Sequence, residues 1–117
     1  MYSLKALTEL TTIAAGAFTD TTIQIPANAV VLAVSVRVTV VIPTATTFTV
    51  TAATAATVYS TTAVSTAANT TDKGTFSGSS YSATAQSVRI TPNLVPAANS
   101  GRVRVTIHYY EITPPTS

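Results

Sequence analysis

Residues 30–40, with the sequence VVLAVSVRVTV, decide the fold class of this chain. Apolar and polar residues alternate here with a period of two. One predicted face carries Val34, Val36, Val38 and Val40, and the other carries Ser35, Arg37 and Thr39. Successive side chains of a β-strand point to opposite faces of its sheet, and β-branched residues favour strands. The stretch therefore predicts a strand with one face on a hydrophobic core.

The same period returns over residues 102–110. The predicted core face holds Val103, Val105, Ile107 and Tyr109, opposite Arg102, Arg104, Thr106, His108 and Tyr110. Shorter runs over residues 22–25, 46–50 and 87–91 follow the pattern, whereas residues 4–10 fit either a strand or a helical turn. No window has a sustained apolar period of 3.6 residues, as a helix would require.

Turn-forming residues separate these runs, at residues 26–28, 43–45 and 92–101. Asn28 is suited to a left-handed turn conformation. Strands at this spacing, punctuated by Pro, Gly and Asn, indicate an all-β sandwich or barrel. A chain of 117 residues is long enough for one domain, so residues 1–117 are predicted to form a single unit.

The segment 51–86 consists almost entirely of Ala, Thr, Ser, Asn and Gly. Its larger apolar side chains are Val58, Tyr59, Val64, Phe76 and Tyr81. With so little to bury, we expect extended strands and loops that are ordered partly by other subunits. A mobile surface loop is the alternative, and residues 52–57 could form a short helix that threonine would weaken.

Charged residues make up 9% of the sequence, against roughly 25% in a typical domain. A surface of Thr and Ser hydroxyls can be buried against a partner without desolvating many charges, which favours an assembly subunit. The six Lys and Arg residues are scattered along the sequence, so no nucleic-acid binding is predicted. The most apolar stretch, 29–42, is too short to span a bilayer and contains Arg37, and residues 1–18 do not resemble a signal peptide. We therefore expect that the protein does not associate with membranes. We also expect that it is synthesised in a host cytoplasm.

Few residues are available for chemistry. The sequence has one histidine, four acids that are far apart, no cysteine and no phosphate-binding or nucleophile motif. It predicts a non-enzymatic protein without catalytic residues, metal ligands or cofactors, and His108 as a surface or interface imidazole. Five residues are instead candidates for subunit contacts: Arg37, Phe76, Tyr81, Arg104 and Tyr110. The two arginines would be either solvated charges or partners in salt bridges across an interface, and Tyr110 would present an exposed ring to an interface or a sugar.

Two stretches resemble a known family. Residues 23–38, IQIPANAVVLAVSVRV, are similar to the "I-P-x-G-x-x-V-x-x-V-x-x-R-V" stretch of the phage and gene-transfer-agent structural domains grouped in the family DUF2793. Residues 88–91 (VRIT) and 101–115 (GRVRVTIHYYEITPP) resemble the end of that family's domain. Asn28 stands where the family has glycine, and the Ala/Thr-rich middle does not match. The resemblance implies a β-sandwich of jelly-roll type on a virion component.

These observations predict a capsid cement or decoration protein on the outer surface of a tailed-phage head, where it would stabilise neighbouring capsid subunits. Its partners would be the major capsid protein and copies of itself in a trimer. The compact length favours this function. The alternative is the receptor- or glycan-binding head of a spike or tail fibre, although the chain has no tryptophan and few aromatic residues for a sugar platform.

Overall fold

The computed structural model describes residues 4–53, 58–60, 64–74, 80–82 and 85–111. Within these ranges all regular secondary structure is β-strand, which confirms the all-β prediction. The strands are β1 (Leu4–Ile13), β2 (Thr19–Ile25), β3 (Ala29–Val40), β4 (Thr47–Ala52), β5 (Val64–Ser65), β6 (Thr71–Asp72), β7 (Ser80–Ser82), β8 (Gln86–Pro92) and β9 (Gly101–Glu111). Residues 4–10, which the sequence left undecided, lie in β1. No described helix is long and apolar enough to cross a membrane.

The strands form two antiparallel sheets. The first has the order β1-β9-β3-β6, and β7 also pairs with β3, while the second has the order β2-β8-β4-β5. β7 pairs with residues 29–31 of β3, and β6 pairs with residues 36–37 of the same strand. The two short strands therefore lie one after the other along the same edge of the sheet. With β6 and β7 counted together, each sheet has four strands. The chain crosses between the two sheets at every connection except those from β4 to β5 and from β6 to β7. Together with the strand order of each sheet, these crossings define a jelly roll. The predicted β-sandwich of jelly-roll type is confirmed.

The hydrophobic core lies between the two sheets. The first sheet contributes the side chains predicted from the alternation, all of them buried: Val34, Val36, Val38, Val103, Val105, Ile107 and Tyr109. The second sheet contributes Ile25, Phe48, Val50, Val88 and Ile90. Arg37, Arg104 and His108 lie on the opposite faces of their strands, as predicted, with both arginines exposed and the histidine half-buried.

One side chain of the predicted core face is not in the core. Val40 is 40% exposed, because the register of β3 against β9 shifts between Val38 and Val40. Val38 is opposite the buried Val103, but Val40 is opposite the exposed Arg102. An extra residue in one strand turns the following side chains to the other face of the sheet. The assignment of Val40 to the core face was therefore wrong.

A second irregularity affects β2. Its register against β8 shifts between Asp20 and Gln24, and Thr21 is buried within this interval. The Thr21 hydroxyl donates to the Ile23 carbonyl at 2.7 Å and accepts from the Val88 amide at 3.1 Å. Ile25 is fully buried, whereas Ile23 is only partly buried against the core.

The middle of the chain packs more firmly than its composition suggests. Tyr59 and Val64 are buried in the core, and Tyr59 donates its backbone amide to the Val50 carbonyl at 2.8 Å. The Thr66 hydroxyl donates to the Ala45 carbonyl at 2.8 Å. These residues therefore have packing partners within the chain itself, and the expectation of too little to bury was wrong for them. Residues 54–57, within the predicted short helix, lie outside the described residues.

Candidate docking face

The outer face of the first sheet gathers residues that the sequence keeps far apart. Opposed residues of an antiparallel pair point to the same face, so the register defines rows of neighbouring side chains across the sheet. One row runs Leu10, Arg104, Arg37 and Thr71 through β1, β9, β3 and β6. The next row runs Thr12, Arg102 and Val40.

Arg37 and Arg104 are directly opposed in these rows. The Cβ atoms of such a pair lie about 4.5–5.5 Å apart, and like charges placed in this way destabilise a sheet. Arg102 follows on the same face of β9, two residues from Arg104. Three of the six Lys and Arg side chains are therefore neighbours in the fold, although Arg37 is far from the other two in the sequence.

Arg37 is held in place by the turn that follows β5. Its Nη2 donates to Oδ1 of Asn69 at 3.2 Å. Asn69 adopts a left-handed conformation with φ of 68°, and its backbone amide donates to the Val38 carbonyl at 2.7 Å. The side chain that accepts from Arg37 is thus fixed by a bond back to the strand that carries Arg37.

Two exposed apolar side chains flank the arginines. Leu10 is 41% exposed and Val40 is exposed to nearly the same degree. Leu10 is opposed to Arg104 and Val40 to Arg102, so each flanks one guanidinium group. We call this set, consisting of Leu10, Arg37, Val40, Arg102 and Arg104, the arginine face.

No carboxylate neutralises the arginine face in the described part of the chain. The ion pair between described residues joins Arg89 to Asp20 on the second sheet, at 2.8 Å. Hydrogen bonding to Asp20 raises the pKa of Arg89, and its guanidinium group also lies 3.8 Å from the centre of the Phe18 ring. Among the described residues, Arg89 thus has a carboxylate and an aromatic partner, whereas the three arginines of the first sheet have neither.

His108 lies further along the same outer face. Its Nε2 is 3.1 Å from the hydroxyl oxygen of Ser35, and both residues are half-buried. A shallow cleft of about 260 Å³ is lined by Lys5, Ala6, Leu32 and His108. Among the described residues, no group of three His, Cys, Asp or Glu side chains could hold a metal ion. The Ser35 hydroxyl and the His108 imidazole can form hydrogen bonds to polar groups.

The three aromatic residues predicted to make subunit contacts differ in how the structure describes them. Tyr110 is half-buried, so the expectation of an exposed ring was wrong. It is opposed to Val30, which points to this outer face and yet is only 5% exposed. Tyr81 pairs with Val30 from the other side through the backbone of β7, while its side chain lies outside the described residues. Phe76 lies outside the described residues altogether.

A second exposed apolar surface lies at one end of the sandwich, on the loops 14–18, 41–46 and 93–100. Its exposed side chains are Phe18, Val41, Leu94 and Val95. Side-chain hydrogen bonds fasten these loops to one another. For example, Oδ1 of Asn93 accepts from the Thr46 amide at 3.0 Å. The sequence does not predict this surface, because isolated apolar residues in loops have no periodic signal.

Comparison with known proteins gives one structural likeness. No protein-family model matches the chain, so the resemblance to DUF2793 gains no support, and no curated protein matches either. In three dimensions the chain is similar to a chain of the cyanophage Pam1 capsid asymmetric unit. The TM-score is 0.50 at 23% sequence identity, and the similarity covers 96% of this chain and 84% of the other. At this level of identity the likeness concerns the fold.

Proposed function

We propose that this chain is a structural protein of a tailed-phage particle, and that it acts as a cement or decoration protein on the outer surface of the head. The observation that carries the proposal is the likeness to a chain of a cyanophage capsid unit over nearly all of this chain and most of the other. A shared strand order alone does not define a function, because jelly rolls serve many. The surface of the chain supplies the additional support.

The surface suits a protein that is built into an assembly. Only ten residues carry a formal charge, and the rest of the polar surface is largely Thr and Ser hydroxyls. Hydroxyls lose less hydration free energy than ionised groups when an interface covers them. The exposed apolar surface of the end loops and the flanks of the arginine face add area whose burial is favourable.

The rigidity of the sandwich supports the same function. The strands of the core are fastened by side chains such as Thr21 and Thr66, which satisfy buried backbone groups. A cement protein gains affinity when its contact surface is already ordered before binding, since less conformational entropy is then lost. We propose a homotrimer as the assembled form, because closed symmetric oligomers bury equivalent surfaces on every copy.

Electron cryo-microscopy of the parent particle tests this function directly. The expected result is density with the dimensions of this sandwich, about 55 × 22 × 21 Å between Cα atoms, repeated over the outside of the head lattice. Density confined to the tail, at the tip of a spike or fibre, would contradict the cement function and support the receptor-binding alternative. Sedimentation of the isolated protein tests the trimer, and a monomer both in solution and on the particle would contradict it.

A further inference from the structure

We propose that the arginine face binds carboxylate groups on the surface of a different protein. The proposal rests on the proposed function, because on a virion the protein that offers those carboxylates would be a capsid subunit. It identifies which side of the sandwich makes the contact and which chemistry recognises it.

The placement of the arginines is unfavourable without a partner. Arg37 and Arg104 repel each other across adjacent strands, and Arg102 adds a third positive charge on the same face. The chain uses charge sparingly elsewhere, since only ten of its 117 residues carry a formal charge. A repulsive pair in the middle of a sheet is therefore not explained by solubility, and a bound anion would turn the repulsion into attraction.

The geometry favours carboxylates on a folded protein. Guanidinium groups bind carboxylates through two parallel hydrogen bonds, and arginine is enriched where protein interfaces are most strongly bound. Leu10 and Val40 lie beside the arginines and offer apolar contact that would exclude water around such ion pairs. Asn69 already holds Arg37 in one orientation, which lowers the entropy lost on binding.

The partner is unlike this chain in charge. A second copy would have to provide free carboxylates, but three of the four acids are engaged within the chain. Glu9 accepts hydrogen bonds from Thr22, Asp20 pairs with Arg89, and Asp72 has an interaction partner of its own. The side chain of the fourth, Glu111, lies outside the described residues. A second copy would have to break one of these three interactions to offer its carboxylate, which favours a different, acidic protein as the partner of the arginine face.

The arginine face is also smaller than a nucleic-acid site. It presents three charges in two rows, and residues two apart on one strand are only about 7 Å apart. Proteins that bind duplex DNA commonly contact roughly 6–10 phosphates along an extended basic surface. Leu10 and Val40 interrupt the charge where a phosphate backbone would continue. The observations thus favour a compact acidic protein surface.

The test uses variants of the full chain and particles assembled without it. Double substitution of Arg37→Gln and Arg104→Gln removes the repulsive pair, and Arg37→Lys with Arg104→Lys keeps the charge but removes the forked geometry. Arg89→Gln is the matched control on the second sheet. We expect the Gln variant to bind particles about tenfold more weakly or worse, the Lys variant to be intermediate, and the Arg89 control to bind as wild type.

A thermal melt of each variant separates binding from folding. Because the pair is repulsive, the Gln variant should melt at the same temperature as wild type or higher. Lower thermal stability of the Gln variant, or wild-type binding by it, would overturn the proposal. If the unaltered chain fails to bind particles at all, the proposed function fails instead.

A second probe keeps the inference testable in that case. A fluorescein-labelled peptide of alternating Glu and Ala and a DNA duplex of equal total charge are titrated with the same variants at low ionic strength. We expect the peptide to bind the wild-type chain, the Gln variant to lose that binding, and added salt to weaken it. Tighter binding of the duplex through the same arginines would overturn the acidic-protein partner, and so would absence of binding to the peptide.

Discussion

Replacement of Glu9 by glutamine should destabilise the sandwich at neutral pH. Glu9 lies in β1, at the edge of the first sheet, and its carboxylate accepts hydrogen bonds from the backbone amide of Thr22 at 2.9 Å and from the Thr22 hydroxyl. The Thr11 hydroxyl donates to the same carboxylate at 3.2 Å. Since Thr22 belongs to β2, at the edge of the second sheet, Glu9 links the two sheets along one side of the molecule.

The expected loss in the free energy of unfolding follows from these contacts. A hydrogen bond to a charged group contributes about 1.5–3 kcal/mol when it is buried. Glu9 is half-buried, so solvent screening reduces the total effect of losing its charge to about 1–2 kcal/mol. Glutamine keeps one acceptor oxygen but turns an N–H donor towards the donors of Thr22. For a domain of this size we expect the melting temperature to fall by roughly 3–8 °C.

The effect should depend on pH in a definite direction. Partial burial pushes the pKa of Glu9 up, but the hydrogen bonds from Thr22, Thr11 and the backbone of Ile23 outweigh it, and the pKa lies below its ordinary value of 4.5. A carboxyl group with a lowered pKa in the folded state stabilises the fold above the unfolded pKa. That stabilisation is lost as the pH falls through the folded pKa. The difference between wild type and Glu9→Gln should therefore be present at neutral pH and shrink in acid.

Thermal melts followed by circular dichroism across this pH range provide the assay. Asp20→Asn is the matched control, because Asp20 is an exposed carboxylate whose ion pair with Arg89 stays within one sheet. Exposed ion pairs contribute about 0–1 kcal/mol, so this variant should melt close to wild type. Coincident melts of Glu9→Gln and wild type at neutral pH would refute the reasoning. A difference that stays constant down to acid pH would refute it as well.

Three further substitutions test the packing and the turns. Phe48→Ala, at the largest fully buried side chain, should cost about 3–5 kcal/mol in urea unfolding, and a cost near zero would contradict its place in the core. Gly101→Ala should cost about 1–3 kcal/mol in the same assay, because its Cβ would lie 2.8 Å from the Cα of Ile42; unchanged stability would mean that β9 can shift there. Asn28→Gly should leave the melting temperature nearly unchanged, whereas Asn28→Val should lower it because valine resists the φ of 64°, and equal melts of the two would contradict the left-handed turn.

The core was predictable wherever strands alternate without interruption. Val34, Val36 and Val38, like their partners in β9, follow a strict period of two, and all of them are buried. Val40 continues that period in the sequence but not in the structure, because a register shift intervenes. Such a shift depends on how two strands pair, and a single strand's sequence does not contain that information.

The arginine face was not predictable for the same reason. Arg37 and Arg104 are recognisable as outward residues of two strands, but only the pairing of β3 with β9 makes them neighbours. Tyr59 and Val64 were also unpredictable as core residues, because each is a single apolar side chain among Ala and Thr without a period. Their burial depends on tertiary packing against β4.

The pairing of the first and last strands has a mechanical consequence. Leu4, at the start of β1, is opposed to Tyr110, near the end of β9, and this is the first of ten residue pairs in one continuous ladder. Antiparallel hydrogen bonds run perpendicular to their strands. A force that pulls Leu4 and Tyr110 apart acts along these hydrogen bonds. It would therefore break the ladder one residue pair at a time, at low force. If the protein is instead held through the outer face of its first sheet, the force is shared by all the residue pairs between β1 and β9. The pairs then have to break together, which requires a larger force.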